Sequence, residues 1–307
     1  MPLNELLINA KTGIYAILGD PISHSISPVI MNSSFRRHNV DSVFLAFKCG
    51  PGDVDCIMRA SKLVGLKGYV FTMPIKELVR GYLNELVGEA AVTGAVNCAL
   101  DENGYLTGYN TDSLGFWTAT QEKNTSQKPI ERMFVLGMGG FAKAAVTQAA
   151  LRGVSEIAVV NRMDETDFVR GFEVFLDKLR KEAPGTTVRL LPWKPEAWRD
   201  QLADADVAVN ATPNGMDGEG DLHELFPYDC VKPGVIFFDA VYNPPKTQFL
   251  QIAESRGHPT VDGLDLLAHQ GACSFKIWTG ISVDPKQMKQ DALDFLARNQ
   301  PKAINME

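Results

Sequence analysis

The sequence lacks the cysteine pattern of a disulfide-stapled or zinc-binding protein. Its five cysteines are an odd number, lie scattered along the chain and form no Cys-x-x-Cys pair. This arrangement argues against a disulfide framework and against a thiolate zinc site. The five histidines are also dispersed, without the His-Glu-x-x-His spacing that places two metal ligands on one helical face. We therefore predict no bound metal and a reducing compartment.

Positive charge and long apolar runs are scarce as well. Thirty Lys and Arg face 37 Asp and Glu, giving a formal net charge of −7, so no overall positive field favours nucleic acid or a membrane. No apolar stretch approaches the roughly 20 residues of a transmembrane helix. The first residues (MPLNE) lack the basic region and apolar core of a signal peptide. We expect a cytoplasmic monomer or homodimer whose partner is a small molecule, with neither nucleic acid nor membrane involved.

The composition that is present suits a globular protein of about two domains. Hydrophobic residues make up 45% and charged residues 22% of the 307 residues, close to the globular average. Short apolar runs alternate with amphipathic stretches, which predicts parallel βαβ units. A helix is expected after Ser27-Pro28, with Ser27 as its cap. Strands are predicted over 14–19, 43–47, 68–73, 133–136, 156–160, 207–209 and 235–238, and further helices over 54–64, 142–151 and the last 40 or so residues.

A glycine motif follows the predicted strand at 133–136. Gly137-x-Gly139-x-x-Ala142 opens a helix within a βαβ unit. The first glycine permits a tight turn, the second lets the backbone approach a pyrophosphate, and the small third residue packs helix against strand. The helix N-terminus offers unpaired N–H groups to the phosphates. The motif in this context predicts dinucleotide binding rather than an ordinary turn.

The next strand ends just before Asn161-Arg162-Met163-Asp164, where the adenosine ribose would lie. An acid at this distance accepts bonds from the ribose hydroxyls of NAD, whereas an arginine can meet the 2′-phosphate of NADP. Both residue types are present, so this segment alone leaves the choice of cofactor open.

The first half carries four polar segments at the ends of predicted elements, where α/β proteins place ligand-binding groups. They are His24–Pro28, Thr72–Lys76, Gly94–Asn97 and Asn110–Asp112. Taken alone, each segment is explained by helix capping, a turn or solvated side chains, without a functional role. Together they resemble the shikimate dehydrogenase family, which includes the quinate/shikimate dehydrogenases. The resemblance runs from Gly19 to Gly280 and includes Asn210–Met216, Asp239–Pro244 and Gly263–Gln270.

This resemblance implies an oxidoreductase that reversibly transfers a hydride between NAD or NADP and a ring alcohol of shikimate or quinate, without metal. It implies an α/β fold with an N-terminal substrate domain and a Rossmann-type, doubly wound nucleotide-binding domain. Lys76 and Asp112 would form the catalytic pair. The implied substrate-binding residues are Ser25 and Ser27 on the carboxylate, Thr72, Asn97, Asp112 and Gln270 on the ring hydroxyls, and Tyr242 near substrate and nicotinamide. The implied cofactor-binding residues are Gly137, Met138, Gly139, Gly140, Phe141, Ala142, Asn161, Arg162, Asp164, Thr212, Val241 and Gly263.

The sequence departs from the family pattern at four places. Val70-Phe71 replaces an Asn-Val pair that often precedes the family's threonine, which removes a polar group close to the substrate. Met163 replaces a threonine common in NADP-dependent members, so NAD is moderately favoured. Asp265 stands where Gly is frequent, and the bulk of Phe141 would crowd the phosphate turn.

Two other functions are weighed against this one. A paralogue acting on another cyclic polyol acid, such as an aminoshikimate, would keep the same fold, and so would a nucleotide-binding regulator without turnover. Retention of both Lys76 and Asp112 favours an enzyme. We expect residues 1–112 to form the substrate domain and 113–263 the nucleotide domain, with helices in 264–307 packing back on the first. The active site would be the cleft between them.

Overall fold

Two six-stranded sheets make up the fold in a computed structural model of the protein, which describes residues 7–216, 220 and 222–299. The first sheet contains β1 (Gly13–Gly19), β2 (Ser42–Lys48), β3 (Leu66–Phe71), β4 (Glu85–Leu86), β5 (Cys98–Glu102) and β6 (Tyr105–Tyr109). The second contains β7 (Arg132–Leu136), β8 (Glu156–Asn161), β9 (Thr187–Pro192), β10 (Val207–Asn210), β11 (Ile236–Asp239) and β12 (Thr260–Val261). The helices are α1 (Ser27–Arg37), α2 (Val54–Leu63), α3 (Glu89–Thr93), α4 (Thr111–Lys123), α5 (Gly140–Leu151), α6 (Thr166–Glu182), α7 (Arg199–Ala203), α8 (Leu222–Leu225), α9 (Gln248–Ser255), α10 (Gly263–Thr279) and α11 (Pro285–Asn299).

The first sheet is mixed, although the alternation of strands and helices predicts parallel units. Its order is β2-β1-β3-β5-β6-β4, and β5 runs antiparallel to both β3 and β6. The β5–β6 hairpin turns at Asn103-Gly104, where both residues have positive φ, +58° and +90°. Asn-Gly is the preferred pair for such a turn, so this part of the prediction of parallel units is wrong for a reason that the sequence contains.

The start of α1 also differs from the prediction. The cap position is Ile26, with no side-chain cap, and Ser27 is the first helical residue, followed by Pro28 in the first turn. The Ser27 amide donates to the hydroxyl of Ser25 at 3.3 Å. Since Ser27 does not cap the helix, its hydroxyl is left for another partner.

The second sheet is wholly parallel and has the order β12-β11-β10-β7-β8-β9. This is the doubly wound order in which β7, the first strand, lies next to β10 where the strand order reverses. The apolar strands β7, β8 and β10 are buried on both faces, as parallel strands covered by helices are. The predicted α/β, two-domain fold class is confirmed.

The last two helices pack beside the first sheet. Trp278 of α10 donates from its indole N–H to the carbonyl of Ala99 in β5 at 3.0 Å. One guanidinium nitrogen of Arg37 in α1 donates to both carboxylate oxygens of Asp291 in α11, at 2.9 and 3.0 Å. None of the helices in the described part of the chain is long and apolar enough to cross a membrane.

Asp265, which departs from the family's frequent Gly, has a structural use at the start of α10. Asp262 and Asp265 form a reciprocal capping box there. Lys289 of α11 lies 2.8 Å from both carboxylates. Burial alone would lower the pKa of Lys289, but the bonds to the two carboxylates outweigh it and raise the pKa. The carboxylate of Asp265 thus adds a second ion pair between α11 and the start of α10.

Candidate active site

A cavity of about 180 Å³ lies between the carboxyl ends of β1 and β3, the loop after β11, and α10. The structure brings together here every residue that the sequence predicts for catalysis or substrate binding: Ser25, Ser27, Thr72, Lys76, Asn97, Asp112, Tyr242 and Gln270. Val70, the position of the departure from the family's Asn-Val pair, lines the same cavity, as does His24, for which no specific role was predicted.

Lys76 and Asp112 form a close ion pair in this cavity. The Lys76 Nζ lies 2.5 Å from Asp112 Oδ2, and the Asn97 Nδ2 donates to Asp112 Oδ1 at 2.9 Å. Asn97 Oδ1 in turn accepts from the backbone N–H of Thr111 at 2.6 Å, at the start of α4. Both oxygens of Asp112 are therefore held, and a carboxylate in the first turn of a helix is further stabilised by its positive end. This ion pair fixes the position of the Lys76 ammonium, which can still donate further hydrogen bonds to a bound molecule.

Ser25 and Ser27 lie across the start of α1. Ser27 is buried at 3% exposure, and Ser25 is partly buried. Two hydroxyls beside the unpartnered first turn of a helix provide neutral donors and a positive dipole end for a carboxylate. This arrangement suits an acid in a protein whose overall charge is negative.

A buried carboxylate supports the loops of the second domain that face the cavity. Asp239, at the end of β11, accepts bonds from the Val241 amide at 3.0 Å, the Asn210 side-chain amide at 3.0 Å and the Thr247 hydroxyl at 2.6 Å. Burial raises the pKa of Asp239 to about 7, although the three bonds oppose this shift. Burial also raises the pKa of the nearby Tyr242, whose phenol therefore stays protonated.

The raised pKa of Asp239 makes stability depend on pH. Between the ordinary aspartate pKa near 3.9 and about 7, the folded state holds a proton that the unfolded state has lost. The free energy of unfolding therefore falls as pH rises through this window and levels off above it. We expect urea melts to show this decline in the wild type and a flatter profile in Asp239→Asn. Parallel profiles for the two proteins would contradict the assignment.

The glycine motif lines a second cleft of about 330 Å³. Gly137 has φ +104°, and a Cβ there would lie 2.9 Å from the Thr212 side chain and 3.0 Å from the Ala211 carbonyl. Gly139 faces open space at the start of α5, which has no side-chain cap. These are the features that the pyrophosphate of a dinucleotide needs, so the cleft fits that group.

The structure divides the predicted cofactor residues into two groups. Those lining the cleft are Gly137, Met138, Gly139, Asn161, Arg162 and Thr212. Gly140, Phe141 and Ala142 form the first turn of α5, while Val241 is buried after β11 and Gly263 lines the substrate cavity. The ring of Phe141 packs against Phe116 and Phe238, with centroids 6.1 and 5.8 Å away, so the expected crowding of the phosphate turn is not found.

Asp164 is not among the described residues that line the cleft. Its side chain is exposed, and its carbonyl accepts from the Thr166 amide as the chain turns into α6. Glu165 takes the lining position instead. Its carboxylate accepts from Asn161 Nδ2 at 3.2 Å and lies 3.6 Å from an Arg162 nitrogen.

Metal ligands are not clustered in the part of the chain that the structure covers. Among these residues, no group of three or more His, Cys, Asp or Glu is placed to hold an ion.

Comparison with known proteins gives consistent matches over both sheets. The shikimate dehydrogenase substrate-binding domain matches residues 17–99, and the shikimate 5'-dehydrogenase C-terminal domain matches 263–293. A shikimate dehydrogenase (NADP(+)) of Desulforamulus reducens is 33% identical over 92% of this chain and 95% of its own length. One of Streptococcus pneumoniae is 36% identical over 92% and 97%. The chain belongs to the shikimate dehydrogenase family. Shikimate 5-dehydrogenase from Listeria monocytogenes, solved with shikimate and NAD, aligns with TM-score 0.84, 34% identity and coverage of 92% and 97%.

Membership of the shikimate dehydrogenase family confirms the family predicted from the motifs and, with it, the enzyme class, an NAD(P)-dependent oxidoreductase acting on CH–OH groups. Within this family site, sequence reasoning missed several residues of the nucleotide cleft, namely Glu165, Phe168, Trp193, Pro213 and Asn214. Glu165 was one position from the acid predicted. Trp193 follows β9, a strand that the sequence reading did not identify.

Proposed function

We propose that this protein reversibly oxidises a ring secondary alcohol of shikimate or quinate, giving 3-dehydroshikimate or 3-dehydroquinate, with NAD or NADP as hydride acceptor. The observation that carries the proposal is the Lys76–Asp112 pair at 2.5 Å, inside a cavity that also contains the two serines of α1. An alcohol can lose hydride only as its hydroxyl proton leaves, so an acid/base group within hydrogen-bond reach is required.

The polar groups that were predicted for this cavity each have a role in the reaction. Ser25 and Ser27 hold the carboxylate, and Thr72, Asn97 and Gln270 lie toward the ring hydroxyls. Lys76 exchanges the proton of the reacting hydroxyl, while Asp112 holds the ammonium in place. Tyr242 lies between substrate and nicotinamide. The dinucleotide, when bound along Gly137–Gly139, supplies the hydride acceptor.

The domain assignment supports the same function. We propose that residues 1–112 and the helices of 264–307 form the substrate domain, and that 113–263 form the nucleotide domain. The Trp278–Ala99 hydrogen bond and the Arg37–Asp291 pair support this division. On composition, we further propose a cytoplasmic monomer or homodimer without nucleic-acid or membrane partners.

The test is direct. Purified protein is incubated with shikimate or quinate and either NAD or NADP, and the absorbance of the reduced nicotinamide is followed. We expect turnover with at least one of the two acids. Activity restricted to an aminoshikimate would favour the paralogue, and dinucleotide binding without turnover would favour the regulator.

For the cofactor, we propose that NAD is accepted at least as well as NADP. Glu165 supports this preference because its carboxylate lines the cleft beside Arg162. It can accept from ribose hydroxyls, and it repels a 2′-phosphate. Met163 offers no hydroxyl to that phosphate. Arg162 is 61% exposed and remains able to pair with a phosphate, so discrimination is moderate.

Glu165→Gln is expected to raise the ratio of kcat/KM with NADP to that with NAD by about fivefold, since a partly exposed charge pair contributes about 1 kcal/mol. Asp164→Asn is the matched control, because it neutralises the neighbouring carboxylate outside the cleft. We expect it to change the ratio less than about twofold, given the screening of exposed charges. A larger shift from Asp164→Asn than from Glu165→Gln would return the selecting role to Asp164.

A further inference from the structure

Part of the substrate cavity is apolar where the sheet forms its floor. Ile17 of β1 and Val70 of β3 are paired in register and both line the cavity. Neighbouring strands are about 4.8 Å apart, so the two side chains form one continuous surface comparable in width to a six-membered ring. Each is 5% exposed. Neither side chain can accept or donate a hydrogen bond.

The polar groups around this floor are largely engaged with one another. Both hydrogens of the Asn97 amide are donated within the protein, to Thr111 Oγ1 and Asp112 Oδ1, each at 2.9 Å. Gln270 donates to the Leu267 carbonyl at 3.0 Å. A ring hydroxyl directed at Ile17 and Val70 would therefore lose water and gain no partner from the floor, which is unfavourable.

We propose that the protein also oxidises ring hydroxy acids that lack the hydroxyl facing Ile17 and Val70, and that it prefers them to shikimate. This rests on the proposed function, because the carboxylate, the reacting hydroxyl and the dinucleotide are handled as described above. The reaction is unchanged: the hydride of the C–H bond passes to the dinucleotide, and the hydroxyl proton passes to the amine form of Lys76, which becomes the ammonium that Asp112 holds. These acids differ from shikimate only in lacking a hydroxyl on the side of the ring that contacts the floor, and Val70 determines the preference for this apolar side.

The experiment compares shikimate with its three monodeoxy analogues, each lacking one ring hydroxyl. The analogue without the reacting hydroxyl is the blank. We expect one of the other two to show kcat/KM about tenfold above that of shikimate, within the roughly 10²-fold by which an apolar pocket rejects an added hydroxyl. In Val70→Thr, which keeps the side-chain shape and adds a hydroxyl, this preference is expected to fall by about tenfold.

Two further variants separate polarity from size and from general damage. Val70→Ala keeps the floor apolar and should preserve the preference for the deoxy acid. Val43→Thr makes the same chemical change on β2, at a position that does not line the cavity, and should leave the preference within about twofold. Thermal melts establish that each variant folds. Should Val70→Thr fail to fold, Ile17→Thr replaces it on the same floor.

The inference is overturned if both analogues that keep the reacting hydroxyl are oxidised at least tenfold less efficiently than shikimate, or if Val70→Thr leaves the preference unchanged. Calorimetric Kd values for the same acids separate this failure from failure of the proposed function. Tighter binding of a deoxy acid with no turnover of any acid would refute the function and uphold the apolar floor. Turnover of shikimate without a binding preference for a deoxy acid would uphold the proposed function and refute the apolar floor.

Discussion

Lys76→Ala is expected to lower kcat by about 10²–10⁴-fold, the usual loss when a positioned acid/base group is removed. In the wild type, Lys76 Nζ lies 2.5 Å from Asp112 Oδ2. In the variant, no other described side chain lies close enough to Asp112 Oδ2 to replace Lys76. The proton of the reacting alcohol then has to leave through solvent. The measurement is steady-state turnover with saturating acid and dinucleotide, together with a thermal melt.

Lys67→Ala provides the control for Lys76→Ala. Lys67 belongs to β3, the strand that precedes the Lys76 loop, but is exposed and lies outside the cavity, so its removal should leave kcat within about twofold, as surface substitutions do. Asp112→Asn should also be slow, and the double variant hardly slower than either single one, because the pair acts as a unit. Turnover of Lys76→Ala within about tenfold of the wild type would refute the proton-transfer role.

Replacing both Ser25 and Ser27 with Ala is expected to raise KM for the acid by about 10²-fold. Each hydrogen bond to a charged group contributes roughly 1.5–3 kcal/mol, and both serines line the same cavity. The Kd of the dinucleotide should stay within about twofold, because its cleft is lined by other residues. Initial rates over a range of acid concentrations give KM for the acid, and a fluorescence titration gives the Kd of the dinucleotide.

Ser34→Ala is the matched control for the serine pair. Ser34 is a buried serine of the same helix whose hydroxyl donates to the Ile30 carbonyl at 2.8 Å, away from the cavity. Its loss affects stability and should leave KM unchanged. Equal losses of acid and dinucleotide affinity in the double variant would indicate damage to the fold rather than loss of a carboxylate site.

The parts of the fold that the sequence predicts well are those with a local cause. The strand–glycine–helix unit around Gly137 follows from a tight turn whose geometry only glycine permits, and the structure has it at φ +104°. The predicted strands of both domains lie within a residue or two of the observed ones. The β5–β6 hairpin also had a local signal in Asn103-Gly104, but β6 (YLTGY) has only one aliphatic side chain and so no apolar run that would have marked it as a strand.

The parts that sequence reasoning missed depend on contacts between distant elements. Whether Asp164 or Glu165 lines the second cleft is decided by how the chain turns from β8 into α6, and residue types alone do not reveal the direction of that turn. The apolar floor arises because the register of β1 against β3 places Ile17 beside Val70. The sequence shows the departure at Val70 but not its neighbour, so the size of the apolar surface is visible only in the structure.

The close packing of α4 against α10 determines how the two domains can move. The chain crosses between the sheets twice, through α4 and again just before α10, and a Cβ on Gly115 would come within 2.7 Å of the Gln270 amide nitrogen. A body joined by two adjacent connections rotates about the line through them and resists sliding or twisting. Asp112 and Gln270 lie on those two helices, close to the axis. We therefore expect an opening motion to widen the outer rim of the cleft while the distances among the groups around the reacting hydroxyl change little.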